Sequence, residues 1–226
     1  NGNALRDIHP SMAEDFSIVR VAVERDGIAI RFASDKFKND KSLALVAVKS
    51  SGIALEYVSK EMRSDPEVVY AAVDRDAQAY RYADDIFFRD KKFALSLVGE
   101  AYGVFEDLDP SLQADREVVL EALKLGNTDI MDYLPKSLND DEELISQIIT
   151  KLPLCVSSAI DFASNRIKNL KTIALMAVES DGRALKNVSS GLQSDKEVVL
   201  AAVSQNSMAL EFADDVLKSD KEIVKA

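Results

Sequence analysis

Aspartates stand at positions 15, 40, 65, 90, 115 and 140, each 25 residues after the last, and Asp195 and Asp220 resume that spacing after a jump of 55. The missing anchor is Leu170, because Lys168-Asn169-Leu170-Lys171 lines up with Lys38-Asn39-Asp40-Lys41. The unit 140–169 therefore carries a five-residue insertion, and seven units of 25 with one of 30 fill 15–219. A fixed period of this length constrains the fold more than any composition does. One short unit cannot bury its own apolar surface, whereas stacked neighbours build a continuous core.

Each unit reads alike. It opens with Asp-Lys-Glu-Val-Val-Leu-Ala-Ala-Val, as in 195–203, or Asp-Pro-Glu-Val-Val-Tyr-Ala-Ala-Val, as in 65–73. An Asp at the mouth of a helix caps free N–H groups and suits the helix dipole. Ser194 and Ser219, three residues before Glu197 and Glu222, also match a capping box, so the spacing leaves the cap at either residue. Pro66 suits the first helical position if Asp65 is the cap. Polar residues follow, then Gly27, Gly52 or Gly182, where a left-handed residue is expected to end the helix. Ala-Leu-x-aromatic, as in Ala54-Leu55-Glu56-Tyr57, predicts a second helix of about two turns. The first helix is apolar nearly all round, so it must be sandwiched. The expected fold is all-α: an α-solenoid of antiparallel helix pairs, with eight full repeats and a half-repeat at each end.

The same residues, Asp-Lys-Glu-Val-Val-Leu-Ala-Ala-Val followed by Ala-Leu-Glu-Phe-Ala, resemble a short helical repeat known as domain of unknown function 4116. The resemblance covers almost the whole chain. It implies a helical-repeat fold and brings no activity, cofactor or catalytic residue with it. Residues 1–226 are read as a single helical-repeat domain with an irregular centre at about 100–169. Both ends fall inside a repeat, which is expected of a fragment of a longer protein, and a cut repeat favours end-to-end self-association.

Charge sharpens the reading. Asp and Glu total 39 against 28 Lys and Arg, a net charge of −11. Twelve of these acids lie between Glu106 and Glu143 against three bases, so −9 belongs to that segment alone. In the same stretch Pro110, Pro135 and Pro153 interrupt the helical pattern. The candidate site is thus an acidic docking surface for a basic protein or peptide: Glu106, Asp107, Asp109, Asp129, Asp132, Asp141, Glu142 and Glu143, beside the insertion residues Leu152, Leu154 and Cys155. The bland alternative is that these acids cap helices and solvate faces. An enzyme or ligand module with a pocket at Tyr102, Asp129, Tyr133 and Cys155, or a spacer between flanking domains, are the other readings.

Chemistry is otherwise sparse. No EF-hand, GxGxxG, GxxxxGK[ST] or Gly-x-Ser-x-Gly pattern occurs, and one His and one Cys make no ordinary zinc site. The expectation is no metal, no cofactor and no catalysis by His9 and Cys155. Asp84-Asp85 and Asp214-Asp215 recur at one repeat position and read as turn residues. The aromatics Phe32, Tyr57, Tyr82, Phe162 and Phe212 read as inter-repeat core, and the variable Arg31, Glu56, Arg81, Lys186 and Glu211 as solvent-facing. Acidity argues against polyanionic partners, nucleic acid and anionic membrane alike. A lone cysteine points to the cytoplasm or another reducing compartment.

Overall fold

The computed structural model describes residues 14–101 and 103–226; His9 and Tyr102 lie outside them. Among the described residues every regular element is a helix. The chain divides into two compact units, Asn1–Asp109 and Pro110–Ala226. The first contains α1 (Phe16–Arg25), α2 (Lys41–Ser50), α3 (Pro66–Arg75) and a shortened α4 (Lys91–Leu97). The second contains α5 (Arg116–Leu123), α6 (Glu142–Lys151), α7 (Lys171–Ser180), α8 (Lys196–Gln205) and α9 (Lys221–Lys225). In the regular repeats a six-residue 3-10 helix follows, such as Gly52–Tyr57, and then a four-residue helical turn, such as Lys60–Arg63.

The anchor aspartates start these helices. Asp15, Asp65, Asp90, Asp115, Asp195 and Asp220 each accept two first-turn N–H groups, and Asp40 accepts that of Leu43. The cap is therefore the Asp and not the preceding Ser194 or Ser219, and Pro66 takes the first helical position. The strict period fails at one anchor. Asp141, not Asp140, caps α6, and Leu170 caps α7 with no side-chain bond. One extra residue thus precedes α6 and four follow it, instead of five in one place. The four precede Ser157, which stands 25 residues before Gly182, and they turn the second element into the α-helix Val156–Phe162.

The repeat glycines play a different part from the one expected. Among the described residues only Gly103 and Gly126 have positive φ, so Gly27, Gly52 and Gly182 do not end helices in the left-handed region. They open the 3-10 helix, and the preceding residue is extended, as at Ser51 with φ −148° and ψ 115°. Side chains at that extended position (Asp26, Asp76, Asp181, Asn206) cap the 3-10 helix. What requires glycine is close approach: a Cβ on Gly52 would sit 2.5 Å from the carbonyl oxygen of Ala72, in the next first helix. Gly27 faces the Ala47 carbonyl and Gly182 the Ala202 carbonyl in the same way. The matching position before α4, which ends early at Leu97, is Ala77.

In the longer first helices, α2, α3 and α5 to α8, four positions form the core. In α3 these are Val68, Val69, Ala72 and Val73; in α6, Leu144, Ile145, Ile148 and Ile149. Two adjacent stripes are buried, as a sandwiched helix requires. Neighbouring repeats are also tied through the backbone. The N–H groups of Ser59, Asp84 and Asp109 donate to Lys38, Arg63 and Phe88 carbonyls at 2.9–3.0 Å, and Ser189 and Asp214 bond Lys168 and Gln193 likewise.

A charged latch completes the junction. Lys41 Nζ meets Asp65 Oδ2 at 2.9 Å and Glu67 at 3.0 Å; Lys171 meets Asp195 and Glu197, and Lys196 meets Asp220 and Glu222. Arg116 does the same to Asp141, with Nε–Oδ2 at 2.7 Å, and to Glu143. The opening Asp-Lys-Glu is thus one cap, one cation reaching forward and one acid receiving from behind. At the insertion the direction reverses: α6 opens with Glu142, and Arg166 reaches back to Asp140 and Glu142. The Lys171 ammonium holds the Asp195 carboxyl below the ordinary range, and Lys196 does so for Asp220. Ser164 and then Arg166 do so for Asp140.

Two outcomes follow. Gly52→Ala forces two backbones apart and should destabilise the chain by about 1–3 kcal/mol, whereas Ala77→Gly changes stability by about 1 kcal/mol or less; urea denaturation measures both. For the latch, carboxyls depressed in the folded state stabilise it above their unfolded value near 3.8, and that contribution disappears as pH falls through the lower folded value. Stability should hold from pH 7 to about 5 and drop below about 4. Lys171→Met should change stability little at pH 7, since the pair is partly exposed, and should show a shallower acid-side slope in the same titration.

Candidate functional site

The eight acids singled out in the sequence do not have one fate. Glu106, Asp107 and Asp109 belong to the first unit, in the stretch after the left-handed Gly103. There Asp109 pairs with Arg89 at 3.2 Å. The remaining five belong to the second unit. Asp141 is the cap of α6 and a latch partner of Arg116; Glu143 shares that arginine, and Glu142 is paired with Arg166. These three carboxylates are committed to the protein's own junctions.

Asp129 and Asp132 differ. They lie on the 3-10 helix Thr128–Tyr133, which Asn127 caps by accepting the Asp129 N–H, and both are exposed. They line a cavity of about 360 Å³ with Thr128, Met131, Ser157, Ser158, Asp161, Phe162, Lys186 and Asn187. Asp161 comes from the α-helix Val156–Phe162, the element lengthened by the insertion. Ser157 Oγ bonds Asp181 at 3.0 Å and Asn187 Nδ2 donates to the Ser157 carbonyl at 2.8 Å, which fixes that wall. Buried Met131 and half-buried Phe162 give it an apolar component. Three carboxylates facing a partly apolar hollow suit a long cationic side chain, whose stem is apolar and whose head is charged. Asp161 was missed in the sequence because it falls past the segment where charge is densest; its signal was the insertion, which places it two turns after Pro153.

The insertion residues also separate. Leu154 is 81% exposed and touches the position of Gly126, whose φ of 77° the turn after α5 requires. Leu152 belongs to a second hollow, about 470 Å³, with Leu120, Gln147 and Lys151 between α5 and α6. Cys155 is fully buried, its thiol directed at the Leu123 carbonyl at 3.5 Å, and burial pushes its pKa up. A thiol held protonated in this way is a poor nucleophile. Among the described residues, the cavity beside Asp129 is lined by neither Cys155 nor Tyr133. Among the described residues no group of three His, Cys, Asp or Glu is arranged to hold a metal ion.

The other repeat positions fall as follows. Asp84 and Asp214 accept the N–H groups of Ile86 and Val216, the work of turn residues. The five repeat aromatics are half-buried, with Arg31 over the Phe32 ring at 4.3 Å. Arg31, Glu56, Arg81, Lys186 and Glu211 are all exposed. Two variable residues at first-helix ends serve the junction instead: Ser50 accepts the Gly27 N–H, and Gln205 that of Gly182. No described helix is long and apolar enough to cross a membrane.

No curated protein and no solved structure matches the chain. One family model does, and its matches step along the chain by one period, at 15–63 and again at 40–89, before a third at 195–226. The matched stretches flank the segment that contains the irregular centre, the insertion and the acidic cavity. The family is a domain of unknown function (DUF4116), which the chain resembles over those residues.

Proposed function

We propose that the protein is a non-catalytic helical-repeat scaffold that binds a basic segment of a partner protein. Within each unit its repeats form a solenoid of antiparallel helix pairs, single junctions being repeated along the chain. The observation that carries the binding reading is the hollow where Asp129, Asp132 and Asp161 stand, none of them in an ion pair among the described residues, beside Met131 and Phe162. The acids that looked equivalent in sequence are largely occupied, and these three are open. The buried, protonated Cys155 supports the absence of nucleophilic chemistry and suits a reducing compartment. An acidic surface also disfavours nucleic acid.

Fluorescence anisotropy with a labelled oligo-arginine peptide tests this. Reversal of all three acids to lysine should weaken binding at least about tenfold, the loss of more than one charge-assisted contact. The control Asp74→Lys, Glu179→Lys, Glu211→Lys carries the same change in net charge on exposed residues elsewhere and should leave binding within about twofold. Equal weakening by both sets, or no binding by the unaltered protein, overturns the proposal.

A further inference from the structure

The outward positions of the regular first helices are apolar. The fifth and sixth residues after the cap are Leu45 and Val46 in α2, Tyr70 and Ala71 in α3, Leu175 and Met176 in α7, and Leu200 and Ala201 in α8, all half-buried. In α6 both are polar, Ser146 and Gln147. Each is bonded within its own helix, Ser146 to the Glu142 carbonyl at 2.7 Å and Gln147 to the Glu143 carboxylate at 3.3 Å. Beside them Leu120 of α5 and Leu152 at the end of α6 line a hollow of about 470 Å³, mostly apolar and open to solvent.

The charge around this hollow is uneven. At one end Arg116 is committed to Asp141 and Glu143. At the other stand Lys124 and Lys151, both exposed. Lys124 meets Glu121, three residues back, in a surface pair worth little. Lys151 has no ion pair among the described residues. Two leucines continue the apolar surface past this end. Leu125 follows Lys124, and Leu154, one of the residues added after α6, lies over Gly126 in the same turn. Away from the first and last repeats, the large apolar side chains left exposed among the described residues are Ile86, Leu125, Tyr133 and Leu154, so two of the four gather here. Apolar side chains exposed together, with a charged rim, mark an interaction surface.

We propose that this groove takes an amphipathic acidic helix of a partner protein, with leucine-like side chains against Leu120, Leu152 and Leu154 and carboxylates at Lys124 and Lys151. α5 has eight residues, about 12 Å of helix. That length admits anchors at i and i+4, about 6 Å apart, which is how a helix is read in an apolar groove. The chain's net charge of −11 repels an acidic segment at long range. At physiological salt that repulsion is screened beyond about 8 Å, so the two ammonium groups at contact decide. The preference is opposite to that of the Asp129 hollow, and the two sites share no residue.

Fluorescence anisotropy with a labelled helical peptide of leucine and glutamate, its leucines along one face, tests this. The unaltered chain should bind it, and the double variant Lys124→Glu, Lys151→Glu should weaken binding at least about tenfold. Leu154→Asp should weaken it several-fold. All three side chains are exposed, so circular dichroism should be unchanged in both variants. Peptides with lysine in place of glutamate, or serine in place of leucine, should bind at least about tenfold more weakly. No binding of the leucine–glutamate peptide, equal binding of either control peptide, or undiminished binding by both variants overturns the proposal. Decanoate that binds more tightly than the peptide makes a small amphipathic acid the occupant and also overturns it. So does self-association in sedimentation velocity that Leu154→Asp abolishes, which makes a second copy the occupant.

Discussion

At Asp65, Asp141, Asp195 and Asp220 the aspartate at the helix mouth carries two loads at once. One of its oxygens satisfies N–H groups that a helix cannot satisfy itself, and the other receives a cation from the repeat before. Capping is a local act and the latch a non-local one, so a single carboxylate sets where a helix begins and which neighbour it stands against. Individually these terms are modest, a cap on the order of 1 kcal/mol and an exposed ion pair less. Their value lies in register. An apolar stripe of valines, leucines and alanines slides easily; a carboxylate fixed at the first turn does not.

The glycine contact imposes the same register from the other end of the helix. Gly52 admits the Ala72 carbonyl only because neither residue brings bulk there. The alanine at 77 stands where the next first helix, α4, is short. A period of 25 is therefore the distance at which four contacts agree: cap, latch, backbone bond and glycine approach. When the chain adds residues before and after α6, the contacts are re-made with different atoms. Asp140 gives up capping to Asp141 and is taken over by Ser164 and Arg166. Glu142 stands where a latch cation belongs, and α7 opens on Leu170 and Thr172, with no acid to repel it.

Much of this was legible in the sequence. The helices, their caps and the displaced rhythm follow from periodicity and from what Asp, Pro and Val do to a backbone. The 3-10 form of the second element was not, because Ala-Leu-x-aromatic suits either helix and the choice is made by the extended residue before it, with its Asp or Asn cap. The conformation of Gly27, Gly52 and Gly182 was misread for a related reason: glycine after a helix has two uses, and only the neighbour's carbonyl distinguishes them. Charge was the least legible property. Twelve acids in one segment look alike as letters, yet Asp115 and Asp141 are caps, Glu142 and Glu143 are ion-paired, and Asp129 and Asp132 are open.

That separation bears on where a repeat protein keeps its specificity. The contacts that hold one repeat to the next consume the same positions each time: the cap, the two residues after it, the two apolar stripes and the glycine. A residue at one of these positions cannot be changed for a ligand without loosening the junction. Specific surface has to come from positions the junction leaves alone, or from places where the period is broken and the junction is re-made. The insertion does the second. Four added residues lengthen Val156–Phe162 into an α-helix, and that helix brings Asp161 and Phe162 to the same hollow as Asp129 and Asp132. A regular repeat has a six-residue 3-10 helix there, ending in an aromatic that the neighbouring repeats half cover. The departure from regularity thus assembles side chains that no regular pair of repeats assembles, which is why the reading of function rests on the break and the reading of the fold on the rhythm.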